Sequence, residues 1–128
     1  MRQEAADLLA QATEDLRTAK TLRRTDRHYA TVFFAQQAAE KALKTLHIER
    51  RRTSARTHNL FRLAQTLKAP AAVLKSAREL TPDYLTTRYP DAANGIPAEI
   101  YDEDIAARHL AYAEAICRWV TRQLSARR

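Results

Sequence analysis

A chain of 128 residues with 22 basic and 15 acidic side chains, a formal net charge of +7, one glycine, four prolines and one cysteine excludes several classes of protein. Its length suits a single domain, residues 1–128, with no room for a second independent core, and one cysteine forms no internal disulfide. No apolar run approaches the roughly 20 residues that span a bilayer and the amino end lacks a leader-like pattern, so a cytoplasmic, soluble protein is expected.

Glycine and proline are what helix interiors exclude, and their scarcity among many Ala, Leu, Arg, Glu and Gln residues predicts an all-α fold. From Glu4 to Leu22, Ala5, Leu8, Leu9, Ala12, Leu16, Ala19 and Leu22 recur at spacings of three and four, the stripe of a first long helix. Asp26 is a candidate N-cap for a second, central helix running to about His47, with Tyr29, Val32, Phe33, Ala35, Ala39, Leu43 and Leu46 turned inward. Its polar residues Gln36, Gln37, Glu40, Lys41 and Lys44 lie within two and a half turns and read as a solvated face with a Glu40–Lys44 pair at i, i+4, or as cations that contact phosphate.

Next comes the connection RRRTSARTHNL, Arg50 to Leu60. Residues 41–62 hold seven basic and one acidic side chain, so nearly all the excess charge lies here. A concentrated positive field suits phosphate-bearing partners; cations also complement the C-terminal pole of a helix. Arg52 and His58, with five residues between them, have a spacing compatible with metal-independent RNA cleavage if the chain folds them together, the histidine moving a proton at the ribose oxygens and the arginine stabilising the charged phosphorane-like transition state. Arg50, Arg51 and Arg56 compete for the arginine's part, and His58 can equally be a helix-start residue.

Thr57 is a candidate cap for a shorter helix carrying Leu60, Leu63, Ala64 and Leu67 that stops near Lys68, ahead of Pro70. Another short helix is expected over about Ala71 to Leu80. RYPDAANGIP, Arg88 to Pro97, has two prolines and the only glycine and reads as a long irregular loop. Within it Arg88 can grip a phosphate and Tyr89 can stack on a base, or Arg88 and Asp91 can pair to fix the loop. Asp102 opens a last helix with the stripe Ile105, Ala106, Leu110, Ala113, Ile116, Val120 and Leu124, where Cys117 reads as a buried thiol. Three long and two short helices bury their stripes most simply as an up-and-down antiparallel bundle, and Tyr29, Phe33, Tyr112 and Trp119 leave room for a self-association surface. The four histidines lack ligand-spaced partners, so neither metal nor other cofactor is expected, and there is no Gly-rich phosphate loop or nucleophile elbow.

The segments FFAQQAAEKALK, THNL and TRYPDA, in this order, resemble the HEPN domain family in its small stand-alone prokaryotic branch, over about Ala5 to Leu124. The resemblance implies a helical bundle, a homodimer, and a minimal nucleotidyltransferase as partner in a toxin-antitoxin-like pair. It also implies, for active members, a metal-independent endoribonuclease whose Arg is followed four to six residues later by His, a spacing that Arg52 and His58 meet. The expected function is a nucleotide- or RNA-binding interaction module whose phosphate contacts are drawn from Lys41, Lys44, Arg50, Arg51, Arg56, Arg88, Tyr89 and Asp91. The nuclease and a purely dimeric scaffold are its rivals.

Overall fold

The computed structural model describes residues 1–126, and every regular element among them is helical. Three long helices, α1 (Gln3–Arg24), α2 (His28–Arg51) and α8 (Glu103–Ala126), carry the bundle; α3 (Leu60–Thr66) and α4 (Ala71–Leu80) are the two shorter ones. Three single turns, α5 (Asp83–Thr86), α6 (Pro90–Ala93) and α7 (Pro97–Ile100), lead into α8.

Direction follows from the contacts. Arg2 N–H donates to Glu49, Thr45 Oγ1 to the Ala5 carbonyl, and Lys41 Nζ to Asp15, so α1 and α2 run antiparallel. Val32 clusters with Tyr101 and Ala106 at one end, whereas Arg50 reaches Gln123 at the other. Helices α2 and α8 therefore point the same way, with α3 to α7 as the return, and the bundle is not antiparallel throughout.

Helix α2 is central because small residues let its neighbours approach. Ala5, Ala12 and Ala19 of α1 and Ala35, Ala38, Ala39 and Ala42 of α2 are all buried, and burial of Val32, Leu43, Leu46, Ile48, Leu60, Leu80, Ile116 and Val120 supplies most of the apolar core. None of the helices is long and apolar enough to cross a membrane among the described residues.

Several boundaries differ from the sequence expectation. Asp26 does not cap α2: it takes a left-handed φ of 59° to turn the chain between α1 and α2, and the N-cap is Arg27, with no side-chain cap. Aspartate tolerates that conformation better than most residues. No glycine or proline stops α2 at His47, so it continues to Arg51 and ends where Arg52 becomes left-handed, with φ 57°. Thr57 does not cap α3; its hydroxyl accepts from Asn59 N–H, and Asn59 Oδ1 in turn accepts from Arg62 N–H at 3.0 Å. The long loop expected after Arg88 contains two single helical turns, each with proline at its first position, where the missing N–H costs nothing. Asp102 does start the last helix, accepting from Ile105 N–H.

The cap assignment is testable. Asn59→Ala should lower unfolding free energy by about 1 kcal/mol, and Thr57→Ala by less, when urea midpoints are compared.

Candidate functional site

The polar residues of α2 are not a solvated face. Gln36 is 1% exposed and Glu40 7%, and a carboxylate so placed needs donors on every side. Three side chains supply them. Gln36 Nε2 donates to Oε1 at 3.0 Å, Lys44 Nζ to Oε2 at 3.2 Å, and His58 Nδ1 lies 3.1 Å from both oxygens. The Glu40–Lys44 pair is thus present, but as part of a buried cluster. At the next position Lys41 Nζ donates to the buried Asp15 at 2.7 Å and to Gln37 at 3.2 Å.

Because Glu40 can only accept while ionised, His58 Nδ1 must carry the hydrogen of that bond. In the neutral ring Nε2 is then the proton acceptor. The ring stacks on Tyr84 of α5 with centroids 3.8 Å apart and planes 14° apart, yet its side chain is 46% exposed, so part of it meets solvent. The Arg88 guanidinium carbon lies 4.4 Å from the Tyr84 centroid and 4.5 Å from that of Phe33. Two groups this close cannot share one ring face, so His58 and Arg88 take opposite faces of Tyr84. The result is a layered assembly of His58, Tyr84, Arg88 and Phe33 drawn from three parts of the chain. Arg88 Nε is buried without a hydrogen-bond partner among the described residues, and the guanidinium's neighbours there are the two rings.

A second network anchors α5 beneath this stack. Buried Asp83 accepts from Tyr101 OH at 2.8 Å, and its other oxygen pairs with His109 Nδ1 at 2.5 Å. The Thr86 hydroxyl also bonds Tyr101. Asp83 thereby ties α5 to α8 and fixes the residue beside it, Tyr84.

The remaining candidates are dispersed. Arg50 is tied inward, donating to the Leu67 carbonyl at 2.7 Å and Gln123 at 2.6 Å beside the Trp119 ring. Arg51 ends α2 exposed, Arg52 is its exposed left-handed C-cap, and Arg56 is exposed in the following loop. Among the described residues no hydrogen bond or ion pair joins Arg52 to His58 or Arg88 to Asp91. Tyr89 is exposed as the N-cap of α6, and Asp91 is exposed in its first turn. The sequence reading missed Tyr84, Asp83, His109 and Tyr101; the i, i+4 spacing of Tyr84 and Arg88 was the available signal. Among the described residues no group of three His, Cys, Asp or Glu side chains could hold a metal ion.

The helical fold that carries this site is shared with known proteins. The HEPN domain family model matches residues 5–124, and the chain belongs to the HEPN domain family. The crystal structure of TT1696 from Thermus thermophilus is similar, with TM-score 0.87 and 33% identity over 94% of this chain and 98% of that one. That of ST0689, an archaeal HEPN homologue, has TM-score 0.82 and 32% identity over 95% and 98%. No curated protein matches the sequence.

The polar clusters bear on stability in two measurable ways. Lys41→Ala leaves the buried Asp15 carboxylate with Gln11 as its remaining side-chain donor and should destabilise the fold by about 2 kcal/mol in urea unfolding. Burial first, and the Asp83 charge second, raise the Tyr101 phenol well above its ordinary value. The unfolded chain releases that proton near pH 10 while the folded chain keeps it, so this contribution to stability is present at lower pH and is lost as pH rises through about 10 and beyond. Tyr101→Phe should flatten the alkaline slope of the urea midpoint relative to wild type.

Proposed function

We propose that this protein is a HEPN interaction module that binds a nucleotide or RNA at the Glu40–His58–Tyr84–Arg88 assembly. We place it with a minimal nucleotidyltransferase as partner in a toxin-antitoxin-like pair, and as a homodimer. The observation that carries the binding reading is the half-exposed His58 ring held flat on Tyr84. Such a platform stacks on a base, while the Arg88 guanidinium beyond it and the exposed Arg51, Arg52 and Arg56 suit phosphate. Membership of the family supports the partner and the dimer. For the dimer, Leu85, Tyr89, Ile96 and Ile100 are large, exposed apolar side chains within one short segment next to Arg88, the kind of surface a second copy would cover. Of the aromatic residues that the sequence offers for that role, Trp119 is buried, Phe33 packs on Phe34 and Arg88, Tyr112 on His109, and Tyr29, partly buried, on the cluster of Val32, Tyr101 and Ala106.

A metal-independent endoribonuclease is the second reading, favoured by one observation. Glu40 orients His58 through Nδ1, which leaves Nε2 of the neutral ring to act as a base, as a carboxylate does for a catalytic histidine, with Arg52 supplying charge to the transition state.

Titration of a labelled single-stranded RNA and of ATP should show binding that weakens about tenfold or more in His58→Ala and in Arg88→Ala, each of which removes a layer of the stack. Replacing Arg51, Arg52 and Arg56 together by glutamine should lower the salt slope for RNA by about 2; unchanged affinity in all three variants would move the site elsewhere. Incubation with RNA in chelator separates the second reading, which requires cleavage that disappears in folded His58→Ala and Arg52→Ala proteins. Sedimentation of Leu85→Glu, Ile96→Glu protein should shift a wild-type dimer to monomer.

A further inference from the structure

Helices α1 and α8 both rest on α2 but do not close over it. They meet at Lys20 and Glu114, whose charged atoms are 3.6 Å apart. From there toward Leu9 on α1 and Arg122 on α8 they part, leaving a groove of about 540 Å³. Ala42 of α2 forms its floor, and Leu9, Leu16 and Cys117 form its walls. Burial pushes the Cys117 thiol up to about 12, so this wall is apolar in character and carries no thiolate at neutral pH. With α1, α2 and α8 as three sides, the missing element is a fourth helix, which would pack against both walls as in a four-helix bundle. The stretch from Leu9 to Lys20 is roughly 17 Å long at 1.5 Å per residue, about three helical turns.

The rim decides what kind of helix fits. Lys20, Arg118 and Arg122 line the groove against a single carboxylate, Glu114, which already faces Lys20. Among the described residues Arg118 and Arg122 have no ion-pair partner. Beyond the Lys20–Glu114 contact the surface is mixed in charge, with Arg23 and Arg24 beside Asp26 and Glu103, so the uncompensated cations are those of the groove itself. Two copies of this chain joined groove to groove would bring Arg118 and Arg122 of each into one interface, with only the Glu114 carboxylates, already facing Lys20, to offset them, an excess of like charge that costs affinity.

We propose that the α1–α8 groove is the docking site for an amphipathic helix of an acidic partner protein, about three turns long, its apolar stripe seated over Ala42 and its flanking carboxylates on Arg118, Arg122 and Lys20. None of these residues takes part in the Glu40–His58 assembly, so the inference does not rest on nucleotide binding.

The test uses the intact protein and two labelled synthetic peptides of about 18 residues that share one leucine stripe and differ only in having glutamate or lysine flanks. Fluorescence anisotropy should show the glutamate peptide binding at least about tenfold more tightly than the lysine peptide. Arg118→Glu with Arg122→Glu, at two exposed positions, should reverse that preference. Thr13→Trp, which fills the groove from its exposed lip, should weaken both peptides about tenfold with the helical circular dichroism unchanged. No binding of the glutamate peptide, equal binding of both, or indifference to the charge reversal overturns the proposal. So does a Thr13→Trp protein whose self-association changes in sedimentation, because the groove would then be a contact between copies.

Discussion

The buried carboxylate of Glu40 is the constraint around which the rest of the molecule is arranged. An ionised group at that depth is tolerated only when its lone pairs are satisfied, because removing a charge from water costs several kcal/mol. Gln36 and Lys44 come from the same helix and are supplied by local geometry. His58 comes from the return loop, and this third donor requires the chain to double back after α2. That requirement fixes where α3 begins, and it places the imidazole over Tyr84. The layers below then follow: Tyr84 is held by its neighbour Asp83, which is held by Tyr101 and His109. A polar knot in one helix thus determines the position of an aromatic platform built from distant segments.

Much of the fold was legible in the sequence because it depends on periodicity and punctuation. The stripes of α1, α2 and α8 satisfy a 3.6-residue repeat, α4 covers Ala71–Leu80 as its flanking prolines and apolar spacing indicate, and Asp102 caps α8. What periodicity does not encode was misplaced. Helix direction is decided by contacts between residues such as Arg50 and Gln123, 73 positions apart. Asn59 displaced Thr57 as the cap because Thr57 spends its hydroxyl on Asn59 itself. The single turns α6 and α7 are too short for a repeat to show, and only their prolines mark them.

The candidate site was legible in part. His58 and Arg88 stand out by residue type, and both sit in the stacked assembly. Glu40, Lys41 and Lys44 were visible too, yet their surroundings were not: a helix read alone presents Gln36, Glu40 and Lys44 as one wet face, and only the loop and α5 packed over it make that face interior. Asp83 and His109 are 26 residues apart, and neither carries a local signal for its partner. The arginine cluster shows the converse. Arg50, Arg51 and Arg52 are consecutive in sequence, but the rotation of the helix from one residue to the next separates an arginine tied into the bundle from two that face solvent.

The chain turns its corners almost without glycine. Asp26, Arg52, Lys68 and Asn94 all adopt φ between 56° and 59°, a conformation that costs a residue with a side chain about 1 kcal/mol or more relative to glycine. Three of these four side chains carry formal charge. The molecule therefore keeps charge at its helix ends at the expense of backbone strain, and its electric field is set partly by its corners rather than by its faces alone. Glycine substitution at Arg52 or Lys68 would relax the backbone while erasing a positive charge, so the most stable version of this fold and the one best able to attract an anionic partner are different sequences.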